Sequence, residues 1–375
     1  MTFVKGPLEG LGPIVRACIV AGVPGIPPVG IEDWCYESER DLILREGLAP
    51  VALRCFDASS ASGDSHIREE LRSVAIEMQM RTLAADFGTA ELLRDLSAVG
   101  VRAVIIKGPA VARFHPKGWP RAYSDLDVLV AHDQFRTALN TAIRAGFEYP
   151  EAACPPWTWI DRYCREGVNL HGQGNVDIHH HIPPWILGVG VRMEDVAASA
   201  DSIQLRGVKV QMASLEYSTV IAALHVFNDF WKGRLGLVSW RDLVVLLHST
   251  DRVHVRETFR SADLEWLLDL VTAALSQGVP EAMIEPTGNT RPPRRIRQRM
   301  GVLGWDHTSS VSHYRVAWAG RLPLPQGIAF LLGSAVPSRS YIHQRHGTYR
   351  RYWSRAWRET VETKGGVDFR VPRTR

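Results

Sequence analysis

The sequence predicts an α/β (α+β) protein in which a small sheet lies between an N-terminal and a C-terminal helical region. Three observations carry this prediction. Two short apolar runs, Val101–Ile106 and Leu126–Val130, are bounded by glycine, proline and charged residues, as strands are. Asn175-Val176-Asp177-Ile178-His179 alternates polar and apolar residues, the period of a half-buried strand. On either side, apolar residues recur at steps of three and four, at Ile67, Leu71, Val74 and Met78 and again at Val220, Leu224, Phe227 and Trp231, as in amphipathic helices.

Residues 1–30 are rich in glycine and proline and are expected to be partly loose. From Ile31 to Phe56 the pattern turns helical, with Trp34, Leu42, Leu44, Leu48, Val51 and Leu53 as apolar positions. A Ser/Ala/Gly linker, Ala58–Ser65, follows. Ile67–Ala98 reads as one long helix or two abutting ones, stopped at Gly100, where glycine takes the left-handed conformation cheaply. These elements make up a helical region over 1–99.

The span 100–212 is the expected sheet-bearing core. After the strand Val101–Ile106, Pro109–Phe114 suits a short helix with proline in its first turn. Lys107, Gly108 and the helix N–H groups would then sit together, an arrangement that favours phosphate oxygens. The loop His115–Tyr123 carries Arg121. Gln134–Ala145 is a helix expected to turn Phe135, Leu139 and Ile143 inward, ended by Gly146. Pro150–Cys164, with Pro155, Pro156, Trp157 and Trp159, is too irregular for a regular element and reads equally as a lid or a packed insertion. Val168–Leu170 and Val176–His181 form a hairpin, with Asp177, His179 and His181 on one face and Ile178 and His180 on the other. Gly207–Met212 is a final or edge strand.

Helices are expected over 213–347: from the N-cap Ser214 to about Trp231, over Leu237–His248 and over Ala262–Gln277. Arg291, Arg294, Arg295, Arg297 and Arg299 form a basic run, either a solvated face or a phosphate- or nucleic-acid-binding surface. The basic tail, 348–375, is expected to be partly disordered, above all at Val367–Arg375.

With 375 residues, 45% hydrophobic and 22% charged, the chain has the composition of a soluble globular protein. A net charge of +4 tolerates a nucleotide or nucleic-acid ligand without demanding one. No apolar run reaches the roughly 18–20 residues of a membrane span. The start lacks a basic region followed by an unbroken apolar core, so no signal peptide is expected. The five cysteines, Cys18, Cys35, Cys55, Cys154 and Cys164, are scattered and form no CxxC pair, which points to free thiols in a reducing cytoplasm.

The chemistry concentrates where the second strand begins, at Arg121-Ala122-Tyr123-Ser124-Asp125-Leu126-Asp127. Residues two apart on a strand share a face, so Asp125 and Asp127 aim their carboxylates one way while Leu126 and Val128 face the core. Such carboxylates repel unless a cation lies between them, and Mg²⁺ suits an all-oxygen site that also takes substrate phosphates. By the same logic, neutralising either aspartate should leave the metal-free protein as stable as before, or more so.

Ile106-Lys107-Gly108, Arg121 and Asp125-Leu126-Asp127-Val128-Leu129-Val130 resemble the nucleotidyltransferase superfamily with the polymerase-β-like fold, in particular a bacterial branch of uncharacterised nucleotidyltransferases. The resemblance runs from about residue 31 to 347. It implies a small mixed sheet and Mg²⁺-dependent transfer of a nucleoside monophosphate from a nucleoside triphosphate, ATP by preference, to a hydroxyl acceptor, with release of pyrophosphate. It also implies that Asp125 and Asp127 hold two Mg²⁺ ions and that Asp177 is the third carboxylate. Lys107, Gly108, Arg121 and Ser124 would hold the nucleotide. His179, within the branch's Val-Asp-Ile-His pattern, would contact substrate or support the ligands. His225 and Asp242 match a helical pattern of the branch, which a buried His–Asp pair joining two helices would also produce. The superfamily's usual Gly-Ser after the first strand is replaced here by Lys107-Gly108-Pro109. Three alternatives follow: a catalytically silent nucleotide-binding or antitoxin-like module, a nucleic-acid-modifying enzyme using the arginine run, and a structural or partner-binding protein. The sequence does not name the acceptor, which could be a small molecule, a peptide or a protein.

Overall fold

The computed structural model describes residues 8–27, 36–59, 65–149, 167–183, 190–231, 234–285, 348–351 and 353–354. The Pro/Trp segment 150–164, the arginine run 291–299 and most of the basic tail lie outside them. Residues 1–148 and 166–291 form one compact unit, described below.

Among the described residues six strands form one mixed sheet: β1 (Ala103–Ile105), β2 (Asp125–Val130), β3 (Gly167–His171), β4 (Asn175–His179), β5 (Asp201–Leu205) and β6 (Val208–Met212), in the order β3-β4-β2-β1-β6-β5. β2 runs antiparallel to β1 and parallel to β4, while β1 and β6 are parallel. The sheet agrees with the expected class. The predicted hairpin is β3–β4. Residues 208–212 form an inner strand, because β5 pairs outside them as the edge. β5 escaped the sequence reading because Asp201-Ser202-Ile203-Gln204-Leu205 has few apolar residues.

Before the sheet come α1 (Pro13–Val20), α2 (Tyr36–Arg45), α3 (Ala49–Asp57) and the 34-residue α4 (Ser65–Ala98). The expected helix over Ile31–Phe56 is broken at Gly47, whose φ of 72° is costly for other residues. Within the N-terminal stretch expected to be partly loose, Pro13–Val20 is ordered as α1, in which Ile14, Val15, Ala17, Cys18, Ile19 and Val20 are buried. Distant residues hold both ends of this short helix. Glu39 accepts hydrogen bonds from the Ile14 and Val15 N–H groups at 3.3 and 2.8 Å. Arg241 donates to the carbonyls of Cys18, Ile19 and Ala21 at 2.7, 3.2 and 3.0 Å. An anion at the N-terminus and a cation at the C-terminus complement the helix dipole and pair its orphan backbone groups.

Between the strands lie α5 (Pro109–Ala112), α6 (Phe135–Arg144) and α7 (Met193–Ala198). On α6 the inward face is Phe135, Ala138, Leu139 and Ala142, whereas Ile143, expected inside, is 39% exposed. After the sheet, α8 (Leu215–Trp231) and α9 (Leu237–Ser249) pack together, and α9 also contacts α1. α10 (Arg252–Ser261) and α11 (Glu265–Gly278) complete the group. The polar α10 was not expected; Asp251 starts it by accepting from the Val253 and His254 N–H groups. Among the described residues no helix is long and apolar enough to cross a membrane.

Candidate active site

The register of β2 against β4 builds the site. Asp127 and Asp177 are paired across these parallel strands, and Leu129 is paired with His179. Residues abreast on neighbouring strands share a face, so Asp125, Asp127, Asp177 and His179 point to the same side. Leu126, Val128, Val176 and Ile178, on the other face, are all buried, which fixes that register. The ligand atoms of Asp127, Asp177 and His179 lie within 4.8 Å of one another. His181 does not join them: β4 ends at His179, and His181 turns towards His132 and His180.

Lys107 reaches this cluster from the turn after β1, with Nζ 3.1 Å from Asp127 Oδ1. His179 Nε2 bonds the same oxygen at 3.0 Å. Gly167 on β3 backs the His179 ring so closely that a Cβ there would lie 2.6 Å from Nδ1. Gly108 has a φ of 57°, which lets the chain reverse into α5 within 3.2 Å of the Asp125 carbonyl as measured from an added Cβ. The N–H groups of Ala110, Val111 and Ala112 are used internally, on the carbonyls of Lys107 and Gly108, and Pro109 has none. The expected helix N–H donors are therefore not on offer to a phosphate, and Lys107 is the main cationic contact.

The three carboxylates differ electrostatically. Burial pushes Asp127 up, but the Lys107 ammonium and His179 outweigh it and hold its carboxyl well below the usual range. Burial and the nearby Asp127 push Asp125 up. The same two causes raise Asp177 to about 6. The expectation that neutralising either Asp125 or Asp127 would spare or raise stability thus fits Asp125 only, because Asp127 is held by partners that the sequence did not reveal. A carboxyl held near 6 makes a pH prediction for Asp177. Its ionisation is less costly in the unfolded chain, so the penalty is absent below about pH 4 and grows as pH rises through about 6. In metal-free buffer Asp177→Asn should therefore be more stable than wild type at pH 8, by on the order of 2 kcal/mol. Urea denaturation at pH 8 and pH 4 tests this; an equal difference at both values would exclude the titration of Asp177 as its source.

A second buried cluster holds the loop before β2. The Arg121 guanidinium makes three hydrogen bonds to Asp242 on α9, at 3.0, 3.0 and 2.8 Å. His115 Nε2 bonds Asp242 at 2.9 Å. Burial opposes the Asp242 charge, yet Arg121 and His115 keep its carboxyl well below the ordinary range. Arg121, expected on the nucleotide, is thus engaged by Asp242. The buried pair suggested by His225 and Asp242 does not form either. His225 lies 3.4 Å from Asp229 on its own helix. The Lys107 ammonium and burial hold the His225 imidazole down to about 3.

From the opposite side α4 grips the same loop. Thr82 Oγ1 donates to the Tyr123 carbonyl at 2.8 Å and accepts from its N–H at 2.9 Å. The Tyr123 hydroxyl donates to Asp86 at 2.6 Å. His115, Thr82 and Asp86 were missed by the sequence reading. Asp86 falls in a long helix that otherwise reads as plain core, so no local signal marks it. Ser124 is exposed and lines a cleft of about 460 Å³ with Arg45, Glu77, Arg81 and Ser239.

A model of the uncharacterised nucleotidyltransferase family matches residues 41–277. The chain belongs to this family. It is accordingly an enzyme, a nucleotidyltransferase, and the matched span includes all the residues of the two clusters. The helix α1 and the arginine run lie outside the match. A solved structure that resembles the chain is that of an antigenic nucleotidyltransferase-like protein from Paracoccidioides brasiliensis, at 13% identity and a TM-score of 0.35, covering 54% of this chain and 94% of that one. No curated protein matches the sequence.

Proposed function

We propose that this nucleotidyltransferase moves a nucleoside monophosphate from a nucleoside triphosphate, ATP in the first instance, to a hydroxyl acceptor. The observation that carries the reading is the pairing of Asp127 with Asp177 across β2 and β4, beside Lys107. Asp125, Asp127 and Asp177 are the residues proposed to hold Mg²⁺, and their oxygen donors suit it. Bound Mg²⁺ supplies charge neutralisation at the departing pyrophosphate and lowers the pKa of the acceptor hydroxyl.

The chain's own groups do the rest. In the metal-free protein Lys107 provides the positive charge beside Asp127. Once those carboxylates carry a cation, its ammonium is placed to turn to a phosphate oxygen. Asp177 is proposed to receive the acceptor's proton on a carboxylate oxygen. The acceptor oxygen then bonds to the α-phosphorus, the bond to the bridging oxygen breaks, and pyrophosphate leaves. His179 orients Asp127, and Asp242 with His115 holds Arg121 so that the loop delivers Asp125. Gly108 contributes backbone, and Ser124 is proposed to meet the nucleotide. The free thiols of Cys18 and Cys55 fit a reducing compartment, and we place the protein in the cytoplasm.

The test is incubation with each α-labelled nucleoside triphosphate, Mg²⁺ and a cell extract, with identification of the labelled product. Label retained on an acceptor together with released pyrophosphate is the expected result. Absence of transfer across all extracts and nucleotides, despite tight ATP binding, would overturn it. Lys107→Ala should weaken ATP binding about tenfold or more, since a charge-assisted contact contributes roughly 1.5–3 kcal/mol. AMP, without β- and γ-phosphates, should be affected much less. Equal losses in titrations of both nucleotides would move Lys107 away from the triphosphate.

A further inference from the structure

Immediately beyond the end of β4, three imidazoles converge. We infer that His132, His180 and His181 form a second metal site, which takes a borderline transition-metal dication such as Zn²⁺. Their ligand nitrogens lie within 4.8 Å of one another. His132 Nδ1 and His180 Nδ1 are 3.0 Å apart. The ring centroids stand 4.9 Å apart for His132 and His180, 5.9 Å for His132 and His181, and 4.4 Å for His180 and His181.

The local backbone explains how neighbours in sequence meet here. On a continuing strand His180 and His181 would point to opposite faces. β4 ends at His179 and the chain bends at 180–181, so both rings reach the same place. His132 arrives from the connection between β2 and α6, which lies alongside because β2 and β4 are parallel. Phe135, in the first turn of α6, packs on the His180 ring with centroids 4.5 Å apart and restrains it. His180 is buried, while His132 and His181 are half-buried, so the group has a fixed base and a rim.

The donor set selects the metal. Neutral imidazole nitrogens suit Zn²⁺, Cu²⁺ or Ni²⁺, whereas Mg²⁺ takes oxygen. In a tetrahedral zinc site with bonds of about 2.0–2.1 Å, the three nitrogens would lie roughly 3.3 Å apart, so the 3.0 Å between the two Nδ1 atoms would open slightly and any wider spacing, at most 4.8 Å, would close. The hydrogen bond between the two Nδ1 atoms needs one N–H donor. A change of tautomer that moves this proton to Nε2 frees the second lone pair without any change of charge. An ion here would tie the end of β4 to the start of α6 one residue after His179, and so steady the strand that carries Asp177.

The experiment uses the full-length protein stripped by a chelator and dialysed. Zn²⁺ is titrated into wild type, His132→Ala, His181→Ala and Asp127→Asn, with Co²⁺ as a spectroscopic probe. The expected result is one Zn²⁺ bound to wild type and to Asp127→Asn. Each histidine variant should weaken it by a hundredfold or more, and Co²⁺ should give the intense visible bands of a tetrahedral centre in wild type and Asp127→Asn. Zn²⁺ binding abolished by Asp127→Asn and kept by both histidine variants would overturn the proposal by assigning the ion to the candidate active site. No Zn²⁺ binding to wild type would overturn it as well. If a histidine variant fails to fold, Co²⁺ in Asp127→Asn still decides, since an octahedral oxygen-type spectrum or none would overturn the site.

Discussion

Asp127→Asn is expected to lower transfer by on the order of a thousandfold or more and also to weaken the fold. The first effect follows from the place of Asp127 between Asp125 and Asp177, where it is proposed to hold metal. The second follows from its partners. Its carboxylate receives hydrogen bonds from Lys107 at 3.1 Å and His179 at 3.0 Å and is nearly fully buried. Asparagine has no charge to offer Lys107, and the ammonium is left with the more distant Asp125 and Asp177. A loss of about 1–3 kcal/mol is expected at neutral pH. That loss should shrink as the pH falls below about 4, because a carboxyl held low in the folded state stabilises only above its unfolded pKa. Asp125→Asn should behave oppositely in stability, since burial and Asp127 disfavour the Asp125 charge. Turnover and urea denaturation of both variants check the pair. Wild-type turnover in Asp127→Asn would remove it from the reaction centre.

Asp242→Ala should be the most damaging single change to stability in this region. Asp242 is 4% exposed and is the shared partner of Arg121 and His115. Its removal leaves a buried guanidinium without its counter-charge, which costs about 3–5 kcal/mol in comparable pairs. For a unit of this size the melting temperature should fall by on the order of 10 °C. Activity should fall too, because Arg121 fixes the loop that leads into Asp125. The double variant Arg121→Met/Asp242→Leu separates the two effects. Replacing both charges by apolar groups should recover most of the stability, while the reaction stays impaired. A loss below about 1 kcal/mol in Asp242→Ala would show that the clamp contributes little.

The placement of these residues explains what could be read in advance. The strand carrying Asp125 and Asp127 announced itself through an apolar run and the strand carrying Asp177 through apolar alternation, both local properties of the chain. So did the long helix α4 and the helix begun at Ser214. Side-chain period on a strand also fixes which residues share a face, so Asp125 was assigned with Asp127 and Asp177 with His179 from sequence alone. His181 broke that rule because the strand stopped at His179, and strand ends depend on pairing with neighbours.

The sequence by itself determined most of the strands and long helices, the faces of Asp125, Asp127, Asp177 and His179, and the resemblance to the family that the chain belongs to, because each rests on residues a few positions apart. Only the tertiary structure decided who neutralises whom. Lys107 pairs with Asp127, Arg121 and His115 with Asp242, Tyr123 with Asp86, and Glu39 and Arg241 hold the two ends of α1. The Arg241 pairing alone spans more than two hundred residues of sequence. No local pattern encodes such partners. A buried charge takes whichever opposite charge the packing brings within a few ångströms, because its desolvation leaves no cheaper choice. The same packing makes Asp125, Asp127 and Asp177, three chemically identical groups, unequal in how readily they ionise.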